Sequence, residues 1–332
     1  MNLAQNEIID LLKTQGAQQQ DLWAKADQVR AANVGPAVHL RGLVEVSSYC
    51  HNNCAYCGLR REHQALERYR LNLDQVVTAA RFAIEQGFKT IVLQAGEDNG
   101  LTQDFISAAI REIKKYSVAV TLSLGERSSE DYQAWKEAGA DRYLLRIETS
   151  SPELYTQLHP GQSWQHRVAC LECLRDLGYE VGSGFIVGLP GQDLAQVAQD
   201  LLWLKDFNVD MAGIGPFLPH PQTPLANFTK GDLNLSLNTV AVCRLLLPDI
   251  NIPATTALGN LDPQGRFMAL KAGANVMMPN FTPLTFKSLY EIYPQHHKAA
   301  TGMAAGFLEE LTKKLQKMGR SIGTDVGGHK KH

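Results

Sequence analysis

No apolar run in the 332 residues approaches the roughly 18 needed to cross a bilayer; the longest, such as Ser117 to Leu124, stop well short. Surplus charge of one sign is also missing. Lys plus Arg number 32 against 34 Asp plus Glu, so the strongly basic face of a nucleic-acid binder is not there. The opening Met1-Asn2-Leu3-Ala4-Gln5-Asn6-Glu7 lacks the basic start of a signal peptide; a cytoplasmic location is expected, with neither membrane nor nucleic acid as partner. No Gly-x-Gly-x-x-Gly follows the first strand-like run, which argues against a dinucleotide-binding open sheet. What remains is ordinary globular composition, 44% hydrophobic and 20% charged.

Short β-branched runs recur at Gly42 to Val46, Thr90 to Gln94, Ala119 to Leu124, Tyr143 to Ile147, Gly184 to Val187, Met211 to Gly215, Ile252 to Ala257 and Asn275 to Met278. Between them, apolar residues fall at helical spacing over Leu73 to Gln86, Asp104 to Tyr116, Glu130 to Ala138, Gln165 to Leu177, Leu194 to Phe207, Leu235 to Leu247 and Pro263 to Ala272. Eight such alternations, with Gly87, Gly139, Gly178 and Gly273 at helix ends, predict an α/β fold of the eight-stranded (βα)8 TIM-barrel type. One domain is expected over 1–332: N-terminal helices to 40, the barrel over 41–280, and a C-terminal helical extension over 281–332 with its helix near 301–318. The tail Gly327-Gly328-His329-Lys330-Lys331-His332 reads as a solvated, frayed end.

Six cysteines stand at 50, 54, 57, 170, 173 and 243, and without an export signal they favour metal or thiol chemistry over disulfides. Cys50, Cys54 and Cys57 form a Cys-x3-Cys-x2-Cys loop directly after the first strand, where barrel chemistry is expected. Thiolates select zinc, copper(I) or iron–sulfur clusters, and a cubane normally takes four of them. With no fourth cysteine nearby, one iron of a cluster would keep an open position, as a catalytic zinc does. A zinc knot completed by His51 or His63 is the competing reading. Cys170 and Cys173 share a helix face and, like Cys243, read as core. Arg146 and Glu148, two apart on a strand, project to one side and suit a charged ligand; a plain Glu148–Arg167 ion pair is the alternative. Glu97 and Asp98 either serve a site or cap the following helix. Tyr290 and Tyr293 read as packing, Met211 and Met278 as core or cavity lining, and His296 and His297 as solvent-facing.

The cysteine spacing, with Tyr56 before the third thiol, resembles the signature of the radical S-adenosylmethionine (SAM) superfamily. Longer strings are similar to its FeFe-hydrogenase maturase family HydE: Cys50 to Glu62, Lys89 to Gln94, Val120 to Glu126, Ala140 to Arg146, Gly213 to Pro221, Asn251 to Ala257 and Asn275 to Asn280. The resemblance implies a 4Fe-4S cluster on Cys50, Cys54 and Cys57, with SAM chelated at the open iron. It implies SAM contacts from Tyr56, Gly96, Glu97, Ser123, Glu148, Arg167 and Met211. Gly96-Glu97, preceded by Ala95 in place of a first Gly, matches the superfamily's Gly-Gly-Glu element, and Gly184 to Gly191 its adenine-contact strand. Gln94, Thr121, Arg142, Thr255 and Thr256 would line the substrate cavity, with Arg146, Met278 and Tyr290 nearest the chemistry. The implied substrate is a cysteine-bound iron carbonyl cyanide complex, the implied electron donor a ferredoxin or flavodoxin, and the implied partners companion maturases. Ile147 stands where the family carries His, so no imidazole is expected at the SAM and substrate boundary. With no cysteine in 290–332, a single cluster is expected. Methylornithine synthase and biotin synthase, close in the same subgroup, are the nearest alternatives, and a non-enzymatic zinc-binding barrel is the alternative of another class.

Overall fold

The computed structural model describes residues 3–294 and 306–329; His296, His297 and the start of the helix expected near 301 lie outside them. In chain order the elements are α1 (Gln5–Leu12), α2 (Gly16–Val34), β1 (Ala37–Ser47), α3 (Leu73–Glu85), β2 (Thr90–Ala95), α4 (Gln103–Ile113) and β3 (Ala119–Ser123). There follow α5 (Ser129–Glu137), β4 (Arg142–Leu144), α6 (Pro152–Leu158), α7 (Trp164–Asp176), β5 (Glu180–Val187), α8 (Leu194–Phe207), β6 (Met211–Pro216) and α9 (Leu233–Leu246). The chain ends with α10 (Thr256–Leu261), α11 (Gly265–Lys271), β7 (Val276–Met277), α12 (Leu284–Lys287), α13 (Phe307–Gln316) and β8 (Ser321–Ile322).

Local chemistry accounts for the boundaries. Asn72 and Gln75 form a reciprocal capping box at the start of α3, and Thr102, Ser128, Ser163, Asp193 and Asp232 cap α4, α5, α7, α8 and α9 through their side chains. Thr102 thus takes the capping role that was one of the two readings of Glu97 and Asp98. Asn208, with φ 61°, ends α8 in the left-handed conformation that Asn tolerates.

The strands pair in parallel in the order β6-β5-β4-β3-β2-β1-β7, with β8 added on β1. The strand expected over 252–257 is reduced to a connector. Asn251 N donates to Asp210 O at 3.0 Å and Ala254 N to Val276 O at 2.8 Å, which closes the ring between β6 and β7. Pro253 has no N–H for a ladder, and the next residues already begin α10. Outward side chains such as Val44 and Val46 pack under the helices, while Leu43 and Glu45 face the barrel interior.

The C-terminal tail is not frayed as far as Gly328 and His329. It closes the lower, N-terminal end of the barrel. Arg41 and Arg142 are buried there beside one carboxylate, Glu180, and the tail supplies the acceptors they still need. Val326 O accepts from Arg142 at 3.0 Å and Thr90 Oγ1 at 2.9 Å, and Gly327 O accepts from Asn251 Nδ2 at 3.0 Å. His329 Nδ1 lies 2.6 Å from Asp210 Oδ1. A side chain at residue 327, which has φ +59°, would come within 2.5 Å of His39, so glycine is required for the tail to pass.

Candidate active site

The register of β1 against β2 slips between Glu45 and Ser47, and the chain then leaves the barrel as the cysteine loop. Arg68 gathers this loop by donating to Leu59 O at 2.8 Å and Arg60 O at 2.7 Å, and also to Ser48 O. Arg70 binds Asp98 through two bonds of 2.6 and 2.7 Å, and Ser47 Oγ donates to the same carboxylate at 2.6 Å. Asp98 is thus a brace between β1 and the end of β2. Gly96 is obligatory, since a Cβ there would lie 2.7 Å from Cys50 Cβ and from Tyr49 O. From the other side Ala55 N donates to Leu158 O and Gly58 N to Ile292 O, so α6 and the segment after α12 both press on the loop.

Cys50, Cys54 and Cys57 all line one cavity of about 280 Å³ at the C-terminal ends of the strands. Burial raises all three thiols, and each is opposed further by a neighbour: Glu97 acts on Cys50, Cys57 and Cys50 act on Cys54, and Cys50 acts on Cys57, which reaches about 12. Three half-buried thiols that resist ionising together fit a positively charged centre. Neither histidine proposed to complete a zinc knot is placed to do so. His63 Nδ1 is bonded to Gly58 O at 2.7 Å and His51 Nε2 sits 3.6 Å from Glu97. Among the described residues, no three His, Cys, Asp or Glu side chains converge as the ligands of a single ion do. The donor set fits a cluster of several irons with fewer thiolates than irons.

Beside the thiols the cavity is lined by Tyr56, Gly96, Glu97, Ser123, Arg146, Glu148 and Arg167. The Glu148–Arg167 pair offered as the alternative is not formed, and two others stand in its place. Arg167 reaches Glu126 at 2.5 Å, Glu97 at 3.2 Å and Arg146 O at 3.1 Å. Burial works against its charge, but Tyr155, Glu126 and Glu97 hold it above the usual arginine value. Glu148 pairs with Arg146 at 3.2 Å, and its φ of 63° is a strained conformation for a residue with a side chain. That ion pair lacks hydrogen-bond geometry, so Arg146 Nε and NH2 and Glu148 Oε2 are buried without hydrogen-bond partners. Unsatisfied charged atoms at a cavity wall call for a polar, charged ligand. Ile147 lies between these two residues, fully buried in the apolar core and absent from the cavity lining, so the expected loss of an imidazole at the ligand boundary does not arise there.

Gln94, Thr255, Thr256, Met278 and Tyr290 line the same cavity, and Gln94 Nε2 donates to Tyr290 Oη at 3.1 Å. Arg142, Thr121 and Met211 are elsewhere. Arg142 and Met211 open β4 and β6 and Thr121 pairs with Arg142, which puts them toward the barrel floor; Met211 Sδ lies 2.9 Å from Arg41. Motif position along the sequence did not separate the two ends of a strand. Tyr293, read as packing, lines the cavity and hydrogen-bonds Arg146. Glu45 was missed, although a lone acid in an apolar strand was a readable signal. His159 was also missed; its Nε2 lies 2.9 Å from Tyr56 Oη, and burial and Arg167 lower its pKa to about 3, so the ring is neutral. Ile186, from the adenine-contact string, lines the cavity with Phe217.

Residues 44–204 match the Radical SAM superfamily profile. The chain is 50% identical over 316 residues, 93% of this chain and 89% of the relative, to the [FeFe] hydrogenase maturase subunit HydE of Thermotoga maritima. It is 29% identical to a 3-methylornithine synthase of Methanosarcina acetivorans, over 83% of this chain and 79% of that one. The crystal structure of methylornithine synthase superposes with a TM-score of 0.85 at 24% identity, covering 97% of this chain and 95% of that one, which supports the barrel-type fold. A cysteine loop at a barrel mouth, a charged cavity beside it and half-identity along nearly the whole chain place this protein in the HydE family of the radical SAM superfamily.

Proposed function

We propose that this chain is a radical SAM maturase that acts on a small organometallic substrate during assembly of the di-iron site of FeFe hydrogenase. The observation that carries the reading is the meeting, in one cavity, of three cysteines on a short loop with an arginine and a glutamate that each keep buried polar atoms without hydrogen-bond partners. A 4Fe-4S cluster on Cys50, Cys54 and Cys57 would supply one electron to the sulfonium of SAM, giving methionine and a 5′-deoxyadenosyl radical. The absence of any cysteine in 290–332 supports a single cluster.

The remaining roles belong to the side chains. Glu148 and the backbone around Gly96 would take the ammonium of SAM, and Arg167, fixed by Glu97 and Glu126, would meet its carboxylate. Tyr56, Ser123 and Ile186 would flank its nucleoside. Beyond them Arg146, tied to Glu148 and Tyr293, would hold an anionic substrate such as a cysteine-bound iron carbonyl cyanide complex. Met278, Gln94, Tyr290, Thr255 and Thr256 would form its walls. A ferredoxin or flavodoxin would deliver the electron, and companion maturases would pass the substrate in and the product on. Anaerobic incubation with SAM, reductant and a synthetic cysteine–iron dicarbonyl cyanide complex tests this. An adenosylated product is expected, and SAM cleavage with unchanged complex would redirect the reading toward methylornithine-synthase-like carbon chemistry.

A further inference from the structure

One charged group in the cavity wall has no part in the scheme above. Glu45 is on the inward face of β1, buried, and lines the cavity next to Gln94 of β2. Its position is tightly fixed. Thr282 Oγ1 accepts from Glu45 N at 2.8 Å and donates to Glu45 Oε2 at 3.2 Å, and Asn280 adds a side-chain hydrogen bond. Tyr69 Oη donates to the main-chain carbonyl of Glu45, not to its carboxylate, and Tyr290 Oη accepts from Gln94. Among the described residues no arginine or histidine forms an ion pair with this carboxylate, and the charge of Lys287 acts in its favour. Burial pushes the group up to about 7, against the hydrogen bonds of Asn280 and Thr282 and the charge of Lys287.

The opposite wall carries the complementary charge. Arg146 follows β4, which is separated from β1 by β2 and β3 on one side and by β5, β6 and β7 on the other. An anion and a cation therefore line one cavity from strands that are not neighbours, with Leu43, Met278 and Thr255 also in its wall. Arg146 is already shared with Glu148 and Tyr293, whereas Glu45 has hydroxyl and amide partners alone. A ligand with an amine at one end and an anionic group at the other satisfies both walls at once.

We propose that Glu45 is a substrate-positioning residue that accepts hydrogen bonds from the amine of an amino-acid-bearing substrate, whose anionic part meets Arg146. This rests on the function proposed above and names the part of the substrate that the cavity recognises. Thr282 and Asn280 orient the carboxylate toward that amine.

The test compares L-cysteine with 3-mercaptopropionate, the same thiol acid without the amine, by anaerobic calorimetry on cluster-loaded enzyme in the presence of SAM. Wild type is expected to bind L-cysteine about tenfold tighter or more, the range of a charge-assisted hydrogen bond. Glu45→Gln should bring the ratio to about one, and Glu45→Asp should restore part of it. Because both ligands are read within one protein, a general loss of folding cannot imitate a change in their ratio. If Glu45→Gln weakens both ligands equally, or the wild-type ratio is already near one, the assignment of Glu45 is overturned while the function stands. If neither ligand binds wild type, the amino-acid-bearing substrate is itself excluded, and the role of Glu45 with it.

Discussion

Glu45→Gln removes an ionisable oxygen from the cavity wall while keeping the side chain's shape and its bond with Thr282, and the structure sets the size of the effect. Burial moves the Glu45 carboxyl from 4.5 up to about 7 in the folded chain. Between those values the folded state holds a proton that the unfolded state has released. Stability present below pH 4.5 is therefore lost as pH rises toward 7, and at ~1.4 kcal/mol per pKa unit the loss reaches about 3 kcal/mol. About 2 kcal/mol of it falls between pH 5.5 and 8. Gln has nothing to ionise, so the variant escapes this loss. With an unfolding entropy of about 2.1 cal/mol/K per residue, 2 kcal/mol corresponds to about 3 °C in a chain of this size. Anaerobic scanning fluorimetry of the substrate-free enzyme across a pH series should show Glu45→Gln gaining about 3 °C on wild type between pH 5.5 and 8. Parallel pH profiles would refute the claim that burial strains this carboxylate.

Other substitutions separate the site from its support. Cys54→Ser should abolish reductive SAM cleavage, followed as 5′-deoxyadenosine, whereas Cys170→Ser should retain it; loss of the cluster in the second variant would remove Cys170 from the core. His329→Ala should cost about 2 kcal/mol in denaturant unfolding by breaking the 2.6 Å contact with Asp210, and unchanged stability would show that the tail is not a structural closure. Ile147→His should destabilise by about 2 kcal/mol or more because it buries an imidazole in apolar packing. A gain in substrate turnover from that variant would mean the residue faces the cavity after all.

The cysteine loop, the strand and helix alternation and the ring of parallel strands were legible because each depends on local pattern: ligand spacing, period and cap residues. The loss of the strand expected over 252–257 was not, since Pro253 keeps the apolar look of a strand while removing its donor. Arg142, Thr121 and Met211 were placed in the cavity because a string match gives position in the chain, not height within a barrel. Only the register shows that they point to the floor. The tail looked solvated from its glycines and lysines; the need of buried Arg41 and Arg142 for carbonyl acceptors, a tertiary matter, is what holds it. Glu148 and Arg146 were read as neighbours on one side of a strand; they do meet in the cavity, but β4 ends at Leu144, and the positive φ of Glu148 has no sequence signature.

The central claim is that three thiols hold an iron–sulfur cluster with a position open to SAM. Anaerobic purification, iron and sulfide counting, and reductive incubation with SAM test it together. About four irons and four sulfides per chain are predicted, with methionine and 5′-deoxyadenosine formed in equal amounts. Bound zinc without sulfide, and no cleavage of SAM, would contradict it.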